Sequence, residues 1–123
     1  MLGHFHITSH LNQAVDQVRR AESSRLRAKS KEAAQRLKHM RRPLLRRGSR
    51  VRGRARQKLN ALLASKLATA RAWDLKETFS HFWKYQSVIW AGGFHYWCFR
   101  AMRSRLEPMK KVARMLRAHE PRY

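Results

Sequence analysis

His4, His6 and His10 lie within the first ten residues of a 123-residue chain, at spacings of two and four. Imidazole is a common metal ligand, and a His pair at i, i+4 on a helix can hold one ion from one face. His6 and His10 have that spacing. His6, however, precedes the expected helix cap, no Glu lies between the two as a metalloprotease helix requires, and the first carboxylate of the chain is Asp16. Histidines gathered near a terminus without an acidic partner are more simply incidental, and no metal ligand is assigned.

General acid and base chemistry needs paired carboxylates whose environments separate their pKa values. The seven acids are Asp16, Glu22, Glu32, Asp74, Glu77, Glu107 and Glu120. Asp74 and Glu77 share a helical face, but Arg71 and Lys76 are close and Lys84 lies a little further on, so solvated ion pairs are expected there. Cys98 and His95 are the residue types of a nucleophile and its base, yet they sit in VIWAGGFHYWCF at 88–99, the most apolar stretch of the chain. A core role follows, and no catalytic residue is assigned.

One stretch has chemistry that is harder to explain blandly. Residues 41–58 read RRPLLRRGSRVRGRARQK, with nine cations and no acid: Arg41, Arg42, Arg46, Arg47, Arg50, Arg52, Arg54, Arg56 and Lys58. Eight of the nine are arginine, whose planar fork suits bidentate phosphate contact and stacking. If about six met DNA phosphates, binding would fall with salt at a log–log slope near −5. Such contacts confer affinity and not sequence choice. The bland alternative is a charged loop with no specific partner. The aromatic series Trp73, Phe79, Phe82, Trp83, Trp90, Phe94 and Trp97 has the chemistry to stack bases, but its helical spacing makes a hydrophobic core the simpler account.

The whole composition points the same way. Lys plus Arg number 29 against 7 Asp plus Glu, a net charge of +22 that repels itself unless an anion is present. Hydrophobic residues still make up 43% and aromatics 10%, which excludes a wholly disordered basic tail. A single domain of this length buries roughly two-thirds of its unfolded surface. The lone cysteine, Cys98, excludes an intramolecular disulfide and a Cys-based zinc cluster and fits a reducing interior. The N-terminus lacks the basic and apolar regions of a signal peptide, and the apolar run at 88–99 is about half of the ~20 residues a bilayer span needs.

The elements that would position these residues are helices. Thr8 or Ser9 caps a first long helix over 9–40, with Leu11, Ala14, Val15 and Val18 inward and then a thinner stripe of Leu26, Ala33, Leu37 and Met40. Pro43 bars further regular helix and pushes Arg42 toward extended geometry, so 41–58 is a basic connector. Residues 59–123 form a helical, aromatic-rich part. There Leu59, Leu62, Leu63 and Leu67 precede the face of Trp73, Phe79, Phe82 and Trp83, on one continuous helix or on two broken near Ser65. Val88, Ala91, Phe94, Trp97, Cys98 and Ala101 line a further helix, and Met109, Val112, Ala113 and Leu116 a last one, with Pro108 in its first turn. No stretch alternates as a strand does; the expected class is all-α, with about five helices.

FHITSHLNQAVDQVRRAE at 5–22, RRPLLRR at 41–47, AWDLKETFSHFW at 72–83 and AMRSRLEPMKKVARMLRAHEP at 101–121 resemble, in order and over nearly the whole chain, DDE transposases of bacterial insertion sequences, ISL3 group. The resemblance implies an RNase H-like catalytic domain that holds two divalent ions, Mg²⁺ or another metal, on two aspartates and a glutamate and cuts and joins DNA at transposon ends. It also implies a mostly helical insertion between the second aspartate and the glutamate, to which this chain corresponds, with the catalytic sheet missing. Residues 1–8 are then a remnant of the catalytic-domain edge. The second aspartate, two residues before the Phe-His pair, maps onto Gly3, and His6 is the one trace of that active site. The first aspartate belongs upstream of Met1 and the glutamate downstream of Tyr123. The expectation is a truncated transposase, catalytically inactive and without a cofactor of its own. Its partners are the DNA phosphate backbone and intact transposase subunits, with no membrane; its place is the bacterial cytoplasm, at the nucleoid when DNA-bound. The alternatives are a stand-alone basic protein that binds RNA or inhibits intact transposase, and a relic without function.

Overall fold

The computed structural model describes residues 4–83 and 88–118, with side chains described for 6–81 and 92–118. All the regular structure among them is helical: α1 His4–Arg27, α2 Lys31–Lys38, α3 Arg41–Leu45, α4 Gly53–Ala64, α5 Ala68–Trp83, α6 Val88–Met102 and α7 Glu107–Ala118, with a short 3-10 turn at Gly48–Arg50. The all-α class is as expected. The helix count exceeds the expected five because two stretches differ from expectation: the helix over 9–40 is divided in two, and the expected connector 41–58 contains α3.

The helix expected over 9–40 is one of these. α1 is already running at His4, so neither Thr8 nor Ser9 caps it and a boundary at residue 8 falls inside the helix. It stops at Arg27, and Ser30, in extended backbone (φ −156°, ψ 113°), accepts from the Ala33 N–H at 3.2 Å to start α2. A serine cap satisfies an N–H that a new helix would otherwise leave orphaned. The chain thereby folds back, and Ala34, Leu37 and Met40 are buried beside α1 instead of extending its stripe.

The weakening of the apolar pattern after Arg20 also has a cause. Ile7, Leu11, Ala14, Val15 and Val18 are buried along the first part of α1, and Arg19, Glu22 and Ser23 continue the same inner face as buried polar groups. Each is satisfied. Arg19 donates from Nε to Asp16 Oδ1 at 2.9 Å and from Nη1 to the Lys38 carbonyl at 3.2 Å. The Ser23 hydroxyl donates to the Ala34 carbonyl at 2.9 Å. Glu22 accepts from the Ala68 and Thr69 backbone N–H groups, both at 2.8 Å, and from the Thr69 hydroxyl. It therefore caps α5 from another helix.

α1 packs against α2, α3, α5 and α7; α6 lies against α5 and α7, and α4 links α3 to α5. Trp97 of α6 sits at 0% exposure, meets Phe79 edge-on at 5.1 Å, and donates from Nε1 to the Leu75 carbonyl at 2.7 Å. The core reading of Trp73, Phe79, Phe94, Trp97 and Cys98 holds; the side chains of Phe82, Trp83 and Trp90 lie outside the described residues. Of the two arrangements around Ser65, the chain adopts the broken one: α4 ends at Ala64, and the Ser65 N–H bonds back to the Leu62 carbonyl. Lys66 then turns left-handed at φ 61° before α5. Pro108 is the second residue of α7, in its first turn, where a missing N–H removes no helical bond.

Candidate nucleic-acid interface

The basic stretch 41–58 is more ordered than a connector. Pro43 is the third residue of α3, in the part of a first turn where no N–H needs a helical acceptor, so Arg41 and Arg42 are helical and the expected extended Arg42 is not found. Two carbonyls near the end of this short helix, one within it and one just past it, accept from a side chain of α5. Lys76 of α5, 3% exposed, donates from Nζ to the Leu44 carbonyl at 2.7 Å and to the Arg46 carbonyl at 2.9 Å. Its neighbour Glu77 accepts the Gly48 N–H at 2.7 Å, and the two side chains stand 4.0 Å apart. Burial pushes the Lys76 amine down to about 8, a shift that the Glu77 charge partly offsets.

Two adjacent residues of α5 thus fasten the basic segment by its backbone. Gly48 is required at this contact: a Cβ there would lie 2.3 Å from Glu77 Oε1 and 2.9 Å from the Trp73 ring. The expectation that Lys76 and Glu77 are solvated ion-pair partners is corrected by this geometry. Asp74 does behave that way, meeting Arg100 at 3.1 Å with its side chain 58% exposed.

Fastening the backbone leaves the side chains outward. Arg42, Arg46, Arg47, Arg50, Arg52, Arg54 and Lys58 are exposed, with no side-chain hydrogen bond or ion pair to another described residue. Arg41 is exposed too, but its Nε lies 3.6 Å from Asp16, a carboxylate shared with Arg19 and Arg20. Arg56 is half-buried and donates to the Gly48 carbonyl at 2.9 Å, bracing the turn. Of the nine expected contact residues, Arg41 and Arg56 are therefore partly committed to structure. α4 begins among these cations at Gly53, left-handed at φ 63°, with Arg52 as N-cap, no side-chain cap bond and no acid in its first turn. Its positive helix end adds to the field of the arginines.

Two open grooves border this surface. One of about 610 Å³ runs between the 48–53 turn and α5, lined by Ser49, Arg52, Arg56, Trp73 and Glu77 among others. The other, of about 430 Å³, lies between α2 and α4, with Leu26, Leu37 and Leu62 in its lining and Arg36, His39 and Lys58 as polar members. Arg36 was not singled out by sequence reasoning, because nothing local shows that α2 folds back beside α4. The chemistry available to the whole surface is the binding of a run of anionic oxygens.

At the other candidate position, His6 is exposed and His10 half-buried on α1, while the side chain of His4 and all of Gly3 lie outside the described residues. Among the described residues no three His, Cys, Asp or Glu side chains gather closely enough to hold a metal ion. No helix described is long and apolar enough to cross a membrane.

No curated protein and no solved structure matches the chain. The family described as transposase, of DDE type and ISL3 group, does match it, over residues 1–123. The arginine-rich helical surface, the four stretches in order and a match over that whole span agree: the chain belongs to the ISL3 family of DDE transposases.

Proposed function

We propose that this chain acts in a transposase as a helical DNA-contact element that neutralises backbone phosphates through residues 41–58 and does no cutting or joining itself. The observation that carries the reading is the set of seven exposed cations without a partner among the described residues, on a segment fastened from behind by Lys76 and Glu77. A fixed array of guanidinium groups meets phosphates with less ordering cost than a flexible tail. Arg42, Arg46, Arg47, Arg50, Arg52, Arg54 and Lys58 make the contacts; Arg41 and Arg56 chiefly brace the segment and contribute less.

The family's two-metal centre does not fit this stretch. Two ions need several carboxylates to clamp them about the attacking and leaving oxygens. Gly3 stands where the resemblance places one of those carboxylates, and Asp16 and Glu22 are committed to Arg19 and to the start of α5. Replacing Arg47, Arg50, Arg52 and Arg54 by Gln tests the proposal. Duplexes of unrelated sequence should all weaken together, with the log–log salt slope shallower by about 3–4. Unchanged affinity, or a loss confined to one sequence, would overturn it.

A further inference from the structure

The outward face of α6 carries a second, different surface. Gly92, Tyr96, Phe99 and Arg103, the last just past the helix end, follow spacings of four, three and four and so form one stripe. Tyr96 is 62% exposed and Phe99 48%, and these are the exposed large hydrophobic side chains among the described residues. Their chain neighbours Trp97 and Cys98 are both at 0%, so the exposure is not loose packing of the helix. The Arg103 guanidinium lies 3.6 Å from the Phe99 ring centroid, a cation–π stack that holds the ring outward. α6 contains no acid.

Two exposed rings beside a cation, on a helix without an acid and in a chain of net charge +22, suit an anionic partner that also presents π-faces. We propose that Tyr96, Phe99 and Arg103 form a stacking platform for unpaired nucleobases of single-stranded DNA. Every base has a π-face, so aromatic side chains with a nearby cation bind single strands without regard to sequence. Tyr96 and Phe99 are separated by about 4.5 Å along the helix. Bases that lie on the two rings are splayed apart and not stacked on one another, as an unpaired strand permits. The inference rests on the reading of the chain as DNA-bound, but it uses a different face and a different part of the nucleotide.

The test measures binding of a labelled 20-nucleotide thymidine strand, an abasic strand of equal length and a 20-base-pair duplex to the full chain. The proteins are wild type, Tyr96→Ala/Phe99→Ala, Tyr96→Trp/Phe99→Trp and the four-arginine variant above. The alanine pair should weaken the thymidine strand about tenfold or more, leave the abasic strand and duplex unchanged, and leave the thermal melt unchanged because both rings are exposed. The tryptophan pair should restore binding. Equal binding of the thymidine strand by wild type and the alanine pair would overturn the proposal, as would an equal loss on all three ligands. A change in self-association with unaltered thymidine binding would also overturn it, giving the face to protein contact. If the phosphate reading fails, the duplex arm shows it through the four-arginine variant, while the contrast between thymidine and abasic strands still judges the platform.

Discussion

Replacing Glu22 with Ala should be among the most damaging single changes in this chain, although Glu22 touches no candidate ligand surface. Its carboxylate, on a residue 6% exposed, accepts two backbone N–H groups at 2.8 Å and a hydroxyl, all at the start of α5. Alanine would leave the buried Thr69 donors and the half-buried Ala68 N–H without acceptors, at about 1–3 kcal/mol for each buried donor before relaxation. The favourable placement of a negative charge at a helix N-terminus, about 0.5–1 kcal/mol, would go as well. With partial relaxation, about 3–5 kcal/mol in total is expected, a large share of the ~5–15 kcal/mol that holds a domain folded. For a chain of this size that is a fall in melting temperature of about 12–20 °C. Glu22→Gln keeps one acceptor oxygen and the shape, and should lose about 1–2 kcal/mol. The assay is thermal unfolding followed by circular dichroism, with amide exchange at Ala68 and Thr69 as the local readout. Melting of Glu22→Ala within about 3 °C of wild type, with those amides still protected, would show that Glu22 does not hold the start of α5.

The clamp on the basic segment makes two further predictions. A lysine whose amine is held near 8 when folded and at its ordinary 10.5 when unfolded binds fewer protons in the folded state, so stability should rise as pH goes from 8 to 10.5. The rise is at most about 3 kcal/mol, since one pKa unit is worth about 1.4 kcal/mol; comparing urea unfolding of wild type and Lys76→Met at each pH isolates it, as the variant lacks that component. Gly48→Ala should displace the Glu77 carboxylate and release the turn, costing about 1–3 kcal/mol in melting experiments and weakening duplex binding even though no cation is removed. In the core, Leu11→Ala at a fully buried site should cost about 2–5 kcal/mol.

What was legible in the sequence follows from how local each signal is. The apolar stripes of α1, α4, α6 and α7 announced themselves because a 3.6-residue period needs only its own helix. The break at Ser65 stayed ambiguous, since spacing permits one helix or two. Glu22, Arg19 and Lys76 were not legible as buried residues, because each has a partner that only the fold brings near, 46, 19 and 32 positions away in sequence. A charged residue reads as solvated until the fold supplies its partner. Pro43 misled in a related way: whether it breaks a helix depends on how close to the start it stands, and α3 starts only two residues before it. The candidate site was visible as charge, whereas the clamp that orders it, and the exclusion of Arg41 and Arg56 from full availability, came from tertiary contacts.

If the cationic side chains of residues 41–58 neutralise DNA backbone phosphates, duplex binding depends on salt and not on sequence. The direct measurement is duplex affinity of the full chain over a salt series from about 50 to 200 mM, with two unrelated sequences. Both should give a linear log–log plot of slope about −5 to −6, as six or seven phosphate contacts require. A slope near zero, or a steep slope for one sequence and a flat one for the other, would contradict it.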